Sequence, residues 1–294
     1  MQALRQASSS GIGPPSWIPA FAGMTACFFM SEPLFHISFY KFAALHDPHA
    51  VAAHLRLIAA DLLGSVLVAA EGVNGVLAGT AEALFAFERT LLEDGRFSGM
   101  VFKRSACITP PFARLKVHVK PEIVSVGVPG GGASPDTRVS PEAWRQLIAQ
   151  DDVVVLDNRN SFEYRLGRFK NAVDPGVANF RDFPRYVEAH APQWKAEGKT
   201  VAMYCTGGIR CEKTSAWMRG LGLAVRELEG GILNYFQALP DAERDWDGEC
   251  FVFDNRIALN TRLQETDTTA EQVYAGEADG EWRLQRARRL DESC

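Results

Sequence analysis

Phe-His-Ile-Ser-Phe-Tyr-Lys-Phe, from Phe35 to Phe42, alternates apolar and polar residues, the period-two pattern of a strand with one buried face. The period then changes. Asp47 precedes Pro48, and Val51, Leu55 and Ile58 follow at helical spacing, which predicts a capped helix. A second strand is expected over 65–70, a turn over 71–75 (Glu-Gly-Val-Asn-Gly), and a returning strand over 76–78. A helix over 81–92 and a strand over 100–108 complete the series. Strand–helix–strand–strand–helix–strand is the order of a ferredoxin-like α+β domain.

Beyond Ser140 the pattern differs. Ser140-Pro141 opens a helix bearing Trp144, Leu147 and Ile148. Strands over 153–156, 200–204 and 224–228 then alternate with helices over 183–196, 211–219 and 232–238. Such alternation predicts a parallel sheet covered on both faces, whose sites lie beyond the carboxyl ends of the strands. The chain as a whole therefore reads as α/β. Its expected divisions are 1–29, a ferredoxin-like (acylphosphatase-like) domain at 30–128, a Gly/Pro-rich linker at 129–139, a parallel-sheet domain at 140–246, and a C-terminal extension at 247–294.

The two ends read differently. Residues 1–29 are expected to be flexible at Ser8-Ser9-Ser10-Gly11, and their apolar stretch is broken by Pro19 and Gly23, a poor signal peptide. Met30 is the expected initiator, with 1–29 disordered and dispensable. From about Asn260 the chain is polar, and 282–290 has the composition of one amphipathic helix. The tail is expected to be loosely attached, with Trp282 as its docking residue. Its terminal Cys294 alone does not make a metal-binding cluster.

Composition narrows the setting. A 47% hydrophobic content allows two real cores, and no apolar run is long enough to cross a bilayer. Six cysteines at irregular spacing, with no Cys-x-x-Cys pair, argue against a disulfide framework or zinc ribbon and for a reducing, cytoplasmic compartment. The net charge of −5 gives no global attraction for nucleic acid.

The candidate chemistry is concentrated in 201–213, Val-Ala-Met-Tyr-Cys-Thr-Gly-Gly-Ile-Arg-Cys-Glu-Lys. Cys205 ends an apolar strand, the glycines let backbone N–H groups converge, and Arg210 adds positive potential at a helix start. All three favour a thiolate or a bound anion. Cys-(x)4-Arg is one residue shorter than the Cys-(x)5-Arg cradle of cysteine phosphatases, so it suits a smaller guest, such as one sulfur or oxygen carried on Cys205.

This loop, formed by Cys205, Thr206, Gly207, Gly208, Ile209, Arg210 and Cys211, resembles that of rhodanese domains. Val153-Val154-Val155-Leu156-Asp157-Asn158-Arg159, Phe162-Glu163-Tyr164, Gly167-Arg168-Phe169 and Leu228-Glu229-Gly230-Gly231-Ile232 resemble their other signatures, with Arg168-Phe169 in place of His-Ile. More specifically, Cys-Thr-Gly-Gly-Ile-Arg-Cys-Glu-Lys, Gly-Arg-Phe-Lys-Asn-Ala and Phe180-Arg181-Asp182-Phe183-Pro184 resemble the bacterial tRNA uridine hydroxylases. The resemblance runs from about Met30 to Leu259. It implies a small N-terminal domain joined to a rhodanese-like domain, and 5-hydroxylation of the wobble uridine of tRNA with dioxygen as co-substrate.

On this reading Cys205 is the reactive group, carrying a persulfide or an oxygenated sulfur or attacking C6 of uracil, and Arg210 organises the loop. Asp157 and Arg159 are expected to pair as structural support. Cys211 reads either as a thiol that resolves an oxidised Cys205 or as a buried helix cysteine. No metal cluster or dinucleotide fingerprint is apparent, so no cofactor is expected from sequence. Candidate tRNA contacts are Lys103, Arg104, Arg114, Lys116 and Lys120, extended by Arg168, Lys170 and Arg181; Arg114, Lys116, His118 and Lys120 share one strand face. Tyr164, Phe169, Phe180 and Phe183 are candidates for stacking on an extruded base. The competing readings are a sulfurtransferase working through a Cys205 persulfide and a non-enzymatic RNA-binding module.

Overall fold

The computed structural model describes residues 33–128, 130 and 135–291. The expected initiator Met30, the 1–29 extension, most of the glycine-rich part of the linker and Cys294 lie outside the described residues.

The first half contains β1 (Leu34–Phe42), α1 (Pro48–Ile58), β2 (Leu63–Ala69), β3 (Gly72–Gly79), α2 (Ala81–Leu92), β4 (Lys103–Cys107) and β5 (Leu115–Val119). The sheet order β4-β1-β3-β2 is the ferredoxin-like arrangement, and β5 extends it as a parallel partner of β2. Asp47 caps α1 by accepting from the Ala50 N–H, and Thr80 caps α2 in the same way from Ala83. Both helices cover one sheet face, where Ile37, Phe39, Val66, Val73, Leu77 and Val117 form the core with Leu55 and Phe87. Of the turn expected over 71–75, only Glu71 is turn, together with Ala70, and 72–75 already belong to β3. Gly72 and Gly75 are glycine because a Cβ there would collide with the Lys41 carbonyl and the Phe39 ring, so they mark close strand approach.

Alternation and register give the other sheet face a polar character. Lys103 pairs with Ser38, Tyr40 with Asn74, and Ser65 with Lys116, so these side chains project away from the helices. That face forms one wall of the cleft described below.

The second half contains β6 (Arg138–Val139), α3 (Pro141–Leu147), β7 (Val153–Asp157), α4 (Ser161–Leu166), β8 (Gly167–Phe169), α5 (Phe183–Ala196), β9 (Thr200–Tyr204), α6 (Ile209–Gly220), β10 (Ala224–Leu228) and α7 (Gly231–Ala238). The sheet order β6-β10-β9-β7 is all parallel. The end of the expected linker is thus structured, since Arg138–Val139 forms an edge strand. Two buried clusters cover the faces, one built on Phe183, Trp194, Val201 and Met203, the other on Trp144, Phe169, Tyr204, Tyr235 and Trp246.

The C-terminal segment corrects the expectation of a loose tail. It contains β11 (Trp246–Gly248), β12 (Cys250–Phe251), β13 (Ala258–Leu259), α8 (Ala270–Tyr274) and α9 (Gly280–Asp291). β11 pairs with β8, and Phe251, Val273 and Tyr274 pack on Phe162. Arg283 docks α9 by stacking 4.7 Å from the Phe162 ring centroid and donating to the Ala178 carbonyl at 2.8 Å. Trp282, the expected docking residue, is 55% exposed. Periodicity marked the wrong neighbour because the docking contact is made by an arginine. Among the described residues no helix is long and apolar enough to cross a membrane.

Candidate active site

Cys205 sits where β9 ends, at the carboxyl edge of the parallel sheet. Two glycine turns shape its loop. Gly208, at φ 98°, caps α6 and donates its N–H to Cys205 Sγ at 3.1 Å. Gly230 and Gly231, at φ 70° and 69°, start α7, whose Ile232 and Leu233 N–H groups donate to the Cys205 and Thr206 carbonyls at 3.0 and 3.2 Å. A Cβ on Gly231 would collide with those carbonyls. The loop carbonyls are therefore drawn toward α7 while amides converge on the sulfur, a local nest at a helix N-terminus.

The electrostatics follow. Burial opposes ionisation of Cys205, but hydrogen bonding from the Cys211 thiol, the Arg210 charge and the Cys211 and Arg210 amides outweigh it, holding Cys205 well below the ordinary thiol range. Burial pushes Cys211 up, and its donation to Cys205 and the neighbouring negative sulfur push it further. The two sulfurs are thus shifted in opposite directions, Cys211 as donor and Cys205 as acceptor. Cys107, Cys205, Cys211 and Cys250 are all free thiols.

Arg210 is fixed by a partner that sequence reading left without a role. Glu163 accepts from its Nη1 and Nη2 at 2.8 Å each, both side chains being buried. Burial disfavours the Glu163 carboxylate, but Arg210 and then Arg159 hold it below its ordinary value. Glu163 is placed by the capping box of α4, accepting from the Asn160 N–H at 3.1 Å. Arg210 also reaches Thr206 Oγ1 at 3.3 Å and lies about 6 Å from the ring centroids of Phe180 and Phe253. Asp157 and Arg159 form a separate, fully buried pair at 2.7 Å, with Arg159 also donating to the Gly167 carbonyl, and neither lines the cleft.

The thiol loop forms the floor of a cleft of about 1340 Å³ whose opposite wall is the polar face of the ferredoxin-like sheet. Small-molecule pockets run ~300–1,000 Å³, so this one is sized for a larger guest. The walls are joined by α6. Glu212 accepts from the Tyr40 hydroxyl and from Arg138, each at 2.9 Å. Lys213, 2% exposed, pairs with Glu71 and, at 3.1 Å, with Glu122. The Glu-Lys of the loop motif thus holds the N-terminal domain.

The basic residues separate into groups. Arg114, Lys116 and Lys120, with His118, line the cleft, as does Lys103, whose ammonium is bonded to the Gly207 carbonyl. Arg104 also borders the cleft, but it pairs in register with Ile37 and its guanidinium is ion-paired with Glu88. Arg168, Lys170 and Arg181 do not reach the cleft, contrary to expectation. β8 is paired with β11, Arg168 lies over the Tyr164 ring, and Lys170 donates to the Arg244 carbonyl at 2.7 Å. The folded tail contributes Arg256 and Arg286 instead.

The aromatic candidates also change. Phe169 and Phe183 are fully buried core and the Tyr164 hydroxyl is bonded to the Ala172 carbonyl, whereas Phe180 lines the cleft at 7% exposure. Phe253, between β12 and β13, lines the cleft at 56% exposure and packs edge-on against Phe251. Periodicity carries no signal for it: residues i and i+2 of a strand share a face, so Phe251 and Phe253 read alike, and they part only because β12 ends at Phe251.

Comparison with known proteins agrees with this architecture. The UPF0176 acylphosphatase like domain matches residues 35–123, and the rhodanese-like domain matches 140–238. A protein of Legionella pneumophila (strain Lens) named tRNA uridine(34) hydroxylase is 41% identical over 249 residues, which cover 82% of this chain and 96% of that protein. Proteins with the same name from Synechococcus elongatus and Deinococcus radiodurans are 47% and 43% identical, covering 78% and 80% of this chain and 86% and 79% of theirs.

Proposed function

Because this chain belongs to the tRNA uridine(34) hydroxylase family, we propose that it hydroxylates C5 of the wobble uridine in tRNA, with dioxygen as oxidant and Cys205 as the reactive group. The observation that carries this reading is the Cys205 sulfur, accepting the Gly208 N–H, at the floor of a large cleft lined by basic side chains. Arg114, Lys116, Lys120 and Arg286 offer phosphate contacts along the wall, and Phe253 offers a ring face beside Arg210 on which a base extruded from the anticodon loop can stack.

Uracil C5 needs activation before it meets an oxidant. The Cys205 thiolate adds to C6, forming an S–C6 bond and sending the C5–C6 π pair through C4 onto O4. C5 then carries enolate character and takes one oxygen atom. Loss of the C5 proton expels the thiolate and restores the double bond. The O–O bond of dioxygen breaks in that transfer, and the second oxygen atom leaves as water after accepting two protons and the two electrons released when two external thiols become a disulfide. Arg210 and the loop amides favour the thiolate at the start and the departing thiolate at the end.

The test is nucleoside mass spectrometry of tRNA from a strain lacking this gene. Loss of 5-hydroxyuridine and its further-modified forms, restored by the wild type and not by Cys205→Ser, is expected. Unchanged tRNA together with lost thiosulfate sulfurtransferase activity would instead favour persulfide transfer through Cys205.

A further inference from the structure

A cation beside the thiol loop comes from the other domain. Lys103 lies on the cleft face of β4, opposite Ser38 of β1, and donates through Nζ to the carbonyl oxygen of Gly207. The ammonium stands 5.7 Å from the ring centroid of Tyr40, whose hydroxyl is held by Glu212 of α6. Gly208 leaves room for Tyr40, since a Cβ on it would lie 3.1 Å from the Tyr40 hydroxyl, while one on Gly207 would meet Lys103 Nζ only at ordinary contact distance, 3.7 Å.

The Gly207 carbonyl and the Gly208 N–H belong to one peptide plane. In a trans peptide they point in opposite directions. Lys103 holds the oxygen end, and the hydrogen end points at Cys205 Sγ, 3.1 Å from the nitrogen. A cation on the carbonyl therefore fixes the direction of the N–H and polarises it toward the sulfur, as in any hydrogen-bond chain in a low-dielectric site. This use also explains why a lysine on a basic cleft face is turned inward: a contact to phosphate would leave the Gly207 carbonyl without its partner.

We propose that Lys103 is a positioning residue for the Cys205 thiolate, acting through the Gly207–Gly208 peptide, so that the N-terminal domain forms part of the thiol site. This rests on Cys205 being the reactive group and is independent of what Cys205 acts on. Burial lowers the Lys103 ammonium to about 8, against the pull of Cys205 and Glu212, so it remains charged at neutral pH. The other charged and titratable groups around the thiol are Arg210, Cys211 and Glu212 on α6, Glu227 on β10, Arg138 on β6, Tyr40 on β1 and Glu163 on α4.

The experiment is the pH dependence of iodoacetamide alkylation at Cys205, followed by peptide mass spectrometry on the full chain as wild type, Lys103→Met and Lys103→Arg. Thermal unfolding establishes that each variant is folded. Lys103→Met is expected to move the alkylation midpoint up by about one unit, a tenfold loss of thiolate below the midpoint. Lys103→Arg should restore most of it. In hydroxylation assays Lys103→Met should lower kcat with little change in KM for tRNA. An unchanged alkylation profile in folded Lys103→Met would overturn the proposal, whether KM rises, as for a phosphate contact, or only stability falls. The alkylation readout stands even if the tRNA reaction is absent, so failure of the functional reading is told apart from failure of this one.

Discussion

Arg210 and Glu163 show how much of the site hangs on one buried pair. Both nitrogens of the guanidinium fork are matched to both carboxylate oxygens, and Glu163 has no exposure to water. Arg210→Ala leaves that carboxylate buried and unpaired. Such losses run to about 3–5 kcal/mol, so urea denaturation should show a drop of that order. An apolar double replacement, Arg210→Met with Glu163→Leu, should recover much of the stability without recovering 5-hydroxyuridine formation. If stability stayed low in the double variant, the pair would matter for packing rather than charge. Cys205 and Arg210 are legible in the sequence because a loop motif is local. Glu163, Lys103 and Tyr40 are not, because their roles depend on chain segments brought together from 47 to 172 positions away.

The loop itself is set by two neighbouring elements rather than by its own residues. α7 begins with consecutive left-handed glycines so that its first turn can sit against the Cys205 and Thr206 carbonyls. Gly231→Ala adds both backbone strain, about 1–3 kcal/mol, and a collision with those carbonyls. Gly198 has a similar φ of 64° with open space around it, so Gly198→Ala isolates the strain alone. Both variants should lose stability in thermal unfolding, Gly231→Ala the more by the cost of the collision. Only Gly231→Ala should lose hydroxylation severely; equal activity in the two would refute the view that α7 shapes the loop. Helices and strands with clear apolar patterns were readable: the expectations at 183–196, 200–204 and 224–228 coincide with α5, β9 and β10. β6, β8, β12 and β13 have only two or three residues each, too few for any period to show. The glycines of β3 looked like a turn because a strand glycine and a turn glycine are alike until the neighbouring strand is in view.

Across the molecule, the C-terminal hairpin ties the two domains together. Asp254 and Arg256 form a buried pair, Arg256 reaches Ser105 of β4 at 3.0 Å, and Glu265 accepts from the Ile108 N–H at 2.8 Å. His36 of β1 closes this clamp, 3.5 Å from Asp254 and stacked on Phe112. Burial, and then the Arg256 charge, lower His36 to about 3 despite the opposing pull of Asp254. Below its usual value of 6.5 the unfolded chain takes a proton that folded His36 refuses until about pH 3. Stability is therefore lost as pH falls across that window, by a few kcal/mol at most. Urea midpoints measured over this range should fall more steeply in wild type than in His36→Phe; parallel slopes would remove His36 from the account.

That hairpin also bears on how the protein is made. The residues of the hairpin leave the ribosome only after both domains they join, and domains fold in the order of their synthesis. The nest around Cys205 can then assemble while the cleft still lacks Phe253 and Arg256. A nascent chain at that stage holds the thiol loop without the aromatic part of the cleft wall. Completion of translation supplies the rest of the binding surface, so the cleft is whole only once the last part of the chain is made.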